Sequence, residues 1–159
     1  MNVLLSSTPN HAEDSVTTGP NRVSTFFYGT IMNPVEMKEF GVNPTEVLAA
    51  KVYGFDITVR PRPTLVRSDR SCVFGSIISV THADIAAIYS GLEKNFGVIY
   101  RPEAIIAETP DGALRPVVCY IAEKMTAAAP DPKLLQQLAE CVRTMGHPEW
   151  YATHIEAQG

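Results

Sequence analysis

The segment Pro110-Asp-Gly112 lies between two apolar, β-branched runs, 98–108 and 115–122. Asp offers a side chain that bonds the local backbone, and Gly tolerates positive φ, so this is a tight reversal joining two antiparallel strands. One such hairpin excludes a purely parallel, doubly wound sheet. Pro102 and Pro116 bring no amide to a ladder, which places each at a strand start, a bulge or an edge.

The remaining pattern adds strands on one side and short helices on the other. Residues 23–28 form a β-branched and aromatic run that stops at Gly29. Asn33 and Pro34 then suit an N-cap and a first helical position, and Gly41 closes a two-turn helix. In 47–59, Phe55, Ile57 and Val59 alternate with polar residues, which predicts two strand segments bent at Gly54. Arg60, Arg62, Arg67 and Arg70 surround a short apolar stretch and read as a solvated loop, one arginine of which steers an anionic substrate in the sharper alternative. Residues 72–80 read as a strand. Thr81 with Asp84 opens a helix over about 82–91, whose Ile85, Ile88, Tyr89 and Leu92 form one apolar stripe with Glu93 just past it. Residues 132–145 carry helical spacing, Gly146 stops it, and Pro148 restarts a last helix. Residues 1–22, rich in Ser, Thr, Asn and Pro, read as a disordered tail before a single domain over 23–157. The class is α+β: a small mixed β-barrel, closed or half-closed, with flanking short helices.

Composition narrows function mainly by exclusion. The chain has 159 residues, 45% hydrophobic and 19% charged, with 17 acidic against 13 basic residues. That is a globular balance, mildly acidic, with no general affinity for nucleic acid or an anionic membrane. No apolar run approaches the ~20 residues of a membrane span, and the start lacks a secretory pattern, so a cytoplasmic setting is expected. Cys72, Cys119 and Cys141 are widely spaced and form no CxxC. His11, His82, His147 and His154 form no i, i+4 pair, so no metal is expected. There is no G-x-S-x-G, Walker loop or G-x-G-x-x-G. A small molecule is the expected partner.

One candidate site remains, Tyr28-Gly-Thr-Ile31, where an apolar strand enters a turn just before a helix N-cap. Free amides in such a turn bind a carboxylate or oxyanion, and Gly29 lets a ligand approach the backbone. The plainer alternative is a strand-to-helix turn with glycine chosen for its dihedrals.

The same segment resembles the Tyr-Gly-Ser/Thr-Leu motif of the gamma-glutamylcyclotransferase-like family. Gly54-Phe55, then Val73-Phe-Gly-Ser-Ile77, then Leu92-Glu93 with Tyr100-Arg101, follow in that family's order. The Asp111-Gly112 hairpin, Tyr120 and the closing Gly146-His-Pro-Glu-Trp-Tyr151 also resemble family features, so the likeness covers about 23–156. Three positions depart from it: Ile31 stands for the usual Leu, Ser90 for an Asp three residues before the catalytic Glu, and Lys94 for the Gly after it.

The resemblance implies that the α-amine of a γ-glutamyl group attacks its own γ-carbonyl, releasing 5-oxoproline and the amine formerly acylated. It implies no cofactor. Glu93 is then the catalytic residue, taking a proton from the attacking amine and giving one to the leaving amine. Partial burial by Phe96 and Tyr100 would better match the carboxylate to that task. The amides of Tyr28, Gly29, Thr30 and Ile31 would hold the substrate carboxylate or the oxyanion, with contacts from Tyr100 and Tyr120. Read from the residues alone, Glu93 is an exposed helix-end carboxylate and the two tyrosines are strand residues of the core. The competing function is a non-catalytic module that binds a carboxylate ligand on the same fold.

Overall fold

Among the described residues, five strands close into one barrel in the order β1-β3-β2-β4-β5. The computed structural model describes residues 21–159, so all but the end of the tail expected over 1–22 lies outside the described residues. β1, Arg22–Phe27, pairs antiparallel with β3, Pro63–Thr81, and parallel with β5, Leu114–Lys124. Phe26 and Phe27 end β1 fully inside the core, so the chain leaves the sheet at Tyr28 already facing the barrel's interior.

β2, Val47–Val59, and β3 form one long hairpin, which corrects two expectations. The bend at Gly54 interrupts no strand: Gly54, at φ 85°, sits where the register shifts between Tyr53 and Phe55. Across that shift four β3 residues, Ser68 to Ser71, stand opposite Gly54 alone, and the two serine hydroxyls meet at 2.9 Å. Such a bulge curls a hairpin enough to close a barrel. The arginine-rich stretch is likewise strand rather than loop. The alternating face of 55–59 needs a partner, and Pro63 to Arg67 supply it with Thr64 and Leu65 buried, leaving only 60–62 for the reversal.

α2, His82–Phe96, opens on the capping box: Asp84 N–H donates to Thr81 Oγ1 at 3.1 Å, and Thr81 N–H to Asp84 Oδ2 at 2.9 Å. It runs five residues beyond the expected end because Leu92 extends the apolar stripe. Gly97, in the left-handed region, stops it. β4, Ile99–Glu108, pairs along its length with β5 through the predicted hairpin, but meets β2 at one position, Lys51 opposite Glu108. α3, Pro132–Thr144, buries Leu134, Leu135, Leu138 and Val142. α4, Glu149–Glu156, packs against α3 and β2. Just beyond it the Gln158 carboxamide accepts from Val59 N–H at 2.9 Å and donates to the Ile57 carbonyl at 3.1 Å.

Candidate functional site

After β1 the chain passes through Tyr28 and Gly29 into a 3-10 turn, Thr30–Met32, and then α1, Pro34–Met37. Asn33 caps α1 by accepting from Val35 N–H at 3.1 Å, with Pro34 at the first helical position. Met32 and Asn33 donate back to the carbonyls of Gly29 and Thr30, at 2.9 and 3.1 Å. The amides of Gly29, Thr30 and Ile31 donate to no backbone acceptor among the described residues. Two side chains pin this turn from outside. The buried Ser76 hydroxyl donates to the Met32 carbonyl at 2.9 Å, and the Cys141 thiol reaches the Thr30 carbonyl at 3.6 Å.

A narrow cavity of about 70 Å³ lies against the turn. Phe27, Tyr28, Gly29, Thr30 and Ile31 make one wall. Ile88, Tyr89 and Leu92 of α2 make another, and Tyr100, Arg62, Pro63, Phe40 and Leu134 complete it. Among the described residues, no Asp or Glu is in its walls.

The tyrosines hold the walls together. Tyr28 hydroxyl donates to the Tyr120 carbonyl at 2.6 Å, tying the end of β1 across to β5. Tyr100 hydroxyl donates to the Pro63 carbonyl at 2.6 Å, tying β4 to the start of β3. Tyr89 stacks on Tyr120 with ring centroids 4.4 Å apart and leans on Tyr100 at 5.4 Å. Burial pushes the phenols of Tyr28 and Tyr89 well above their ordinary range and that of Tyr100 up to about 12, the nearby Arg62 charge pulling Tyr100 back. All three therefore stay protonated at neutral pH, as hydrogen-bond donors rather than bases.

Five of the residues singled out in the sequence thus share the cavity: Tyr28, Gly29, Thr30, Ile31 and Tyr100. Tyr120 sits behind Tyr89, and what it gives the site is its carbonyl. Glu93 directly follows the wall residue Leu92 but is exposed on α2, one turn beyond Tyr89. The burial expected from Phe96 and Tyr100 is not formed, because Phe96 lies under the Arg62 guanidinium and Tyr100 is turned to Pro63. Ser90 and Lys94 are exposed as well. Sequence reasoning named Tyr89 only as part of the apolar stripe of α2, did not single out Phe40, and named Arg62 only as one of four arginines, one of which steers an anionic substrate in the sharper alternative. The prolines on both sides of Arg62 were the available signal, since they restrict the backbone and so the direction of its side chain.

Burial also raises the Cys119 thiol to about 12 and the Cys141 thiol to about 11, so both are packing groups rather than nucleophiles. Among the described residues no three His, Cys, Asp or Glu side chains gather as a metal would need, and no helix is long and apolar enough to cross a membrane.

Gly29 has φ −84°, so its dihedrals do not demand glycine, and a Cβ there would meet nothing within 4 Å. Gly29→Ala should therefore fold with an unchanged melting temperature while its methyl crowds the approach to the free amides. We expect about tenfold weaker binding of a γ-glutamyl ligand by calorimetry. Undiminished affinity would show that no ligand approaches this backbone.

A family model described as Gamma-glutamyl cyclotransferase, AIG2-like matches residues 25–141. Solved structures share the fold. A protein titled gamma-glutamyl cyclotransferase superposes with TM-score 0.69 at 13% identity, over 86% of this chain and 88% of that one. The uncharacterized protein loc79017 from Homo sapiens gives 0.67 at 15% identity, over 86% and 87%. A yeast cyclotransferase described as specific to glutathione gives 0.53 at 12% identity, over 86% and 95%. None of the curated proteins matches this sequence. The matched region runs from β1 through α3 and contains every wall of the cavity, and the chain belongs to the gamma-glutamyl cyclotransferase, AIG2-like family.

Proposed function

We propose that the cavity binds a γ-glutamyl amide or peptide and cyclises it. The α-amine attacks the γ-carbonyl and forms the ring C–N bond, the original amide C–N bond breaks, and 5-oxoproline and a free amine leave. The observation that carries this reading is the Tyr28 to Ile31 turn, which lines the cavity and whose Gly29, Thr30 and Ile31 amides have no backbone acceptor among the described residues. Preorganised donors of that kind stabilise an oxyanion without reorganising. The attacking amine must lose a proton and the leaving amine gain one. Glu93, one residue past the wall residue Leu92, performs both transfers.

A second reading has its own support. The walls contain Arg, Tyr and backbone amides but no carboxylate, which suits a module that holds an anionic ligand without turning it over.

Incubating the protein with a panel of γ-glutamyl amino acids, peptides and amines, and following 5-oxoproline by mass spectrometry, separates the two. Release from any member supports the cyclotransferase. Binding of a member with release from none supports the binding module.

A further inference from the structure

Arg62 differs from two other arginines of the barrel. Arg67 and Arg101 each reach a glutamate, at 3.0 and 2.8 Å, whereas Arg62 has no carboxylate within ion-pair distance among the described residues. Its Nε is fully buried and has no hydrogen-bond partner. Its guanidinium carbon lies 4.3 Å from the centroid of the Phe96 ring. The Tyr100 hydroxyl, bonded to the Pro63 carbonyl, fixes the next residue of the turn. Arg62 is half-buried, so its charge keeps contact with water while it has no carboxylate of its own, and a cation so placed in a cavity wall is available to an anionic ligand.

Stacking on an aromatic face uses the flat side of a guanidinium and leaves its edge free. The two Nη groups at the open end of the fork present N–H bonds in parallel, a geometry that donates to a carboxylate through two bonds. The free amides of Gly29, Thr30 and Ile31 lie in a different wall of the same cavity. Two separate anion-binding features fit a ligand with two separate anionic groups.

We propose that Arg62 is the specificity-determining residue of this cavity, holding a second carboxylate on the amine-derived portion of a γ-glutamyl compound while the Gly29 to Ile31 amides hold the glutamyl end. The inference rests on occupancy of the cavity by a γ-glutamyl compound, not on its turnover. Ligands acylating an amino acid are thereby favoured over those acylating a simple amine. Burial lowers the Arg62 pKa from its ordinary value, but the group starts so high that it remains a cation at neutral pH.

The test compares γ-glutamylglycine with γ-glutamylglycinamide, which differ by one charge at nearly equal size, by titration calorimetry. Wild type is expected to bind the carboxylate about 10-fold more tightly, as for a charge-assisted hydrogen bond to a half-buried arginine. Arg62→Gln should abolish that preference while changing affinity for the glycinamide less than about threefold. Arg62→Lys should restore part of it, keeping the charge but not the double bond. Equal weakening of both ligands in Arg62→Gln, no preference in wild type, or binding of neither compound would each overturn the proposal. Preference with no 5-oxoproline release from any member of the panel keeps Arg62 and removes the cyclotransferase, and release without preference does the reverse.

Discussion

Glu93→Gln is expected to lower 5-oxoproline release by about 10²- to 10⁴-fold, toward the upper end if one carboxylate serves both proton transfers. The amide keeps the size and loses the proton acceptor. Glu93 is exposed, and none of the side-chain hydrogen bonds or ion pairs of the described residues uses its carboxylate, so the variant should melt within about a degree of wild type. Ligand affinity should be unchanged, leaving the loss in kcat. Steady-state kinetics beside calorimetry checks this. Wild-type release from the variant would make Glu93 a solvent-facing charge and assign proton exchange to another group.

Gly75→Ala is expected to have the largest effect on stability. A Cβ on Gly75 would fall far inside contact distance of the Phe27 carbonyl oxygen and within 2.9 and 3.0 Å of two Phe26 ring carbons. A flexible side chain yields to such a clash, but backbone does not. β1 would have to move away from β3 at the point where it delivers Tyr28 to the cavity. A loss of about 3 kcal/mol, at the upper end for an overpacked core, corresponds to a fall of about 10 °C in Tm. Affinity for a γ-glutamyl ligand should fall with it. Gly29→Ala is the internal control, since the same added methyl there meets open space. A Gly75→Ala variant that melts like wild type would mean that β1 and β3 separate at no cost.

The elements read most closely from the sequence are those whose signals are local. The Thr81 and Asp84 box, the Asn33 cap with Pro34, and the Asp111-Gly112 reversal each depend on residues within four positions, and each stands where expected. What needed the third dimension was less legible. Four arginines in eleven residues suggested one solvated loop, yet they have separate fates. Arg60 and Arg70 are exposed, Arg67 crosses to Glu103, and Arg62 turns inward because Val59 pairs with Pro63. Likewise, periodicity places Glu93 beside the apolar stripe of α2, but its burial depends on where Phe96 and Tyr100 turn. Both are engaged with the β2–β3 reversal instead.

The Gln158 side chain has a consequence for how molecules of this protein meet. Past its one pairing with β4, the edge of β2 away from β3 presents main-chain groups over 55–59 that no strand among the described residues covers. The carboxamide of Gln158 takes the Val59 amide and the Ile57 carbonyl together, occupying the place of a peptide unit from an added strand. Exposed rows of this kind template edge-to-edge association, and natural sheets commonly protect them with a covering segment. Here one side chain just beyond a helix does so, and its removal would be felt in solubility at high concentration before it was felt in the cavity.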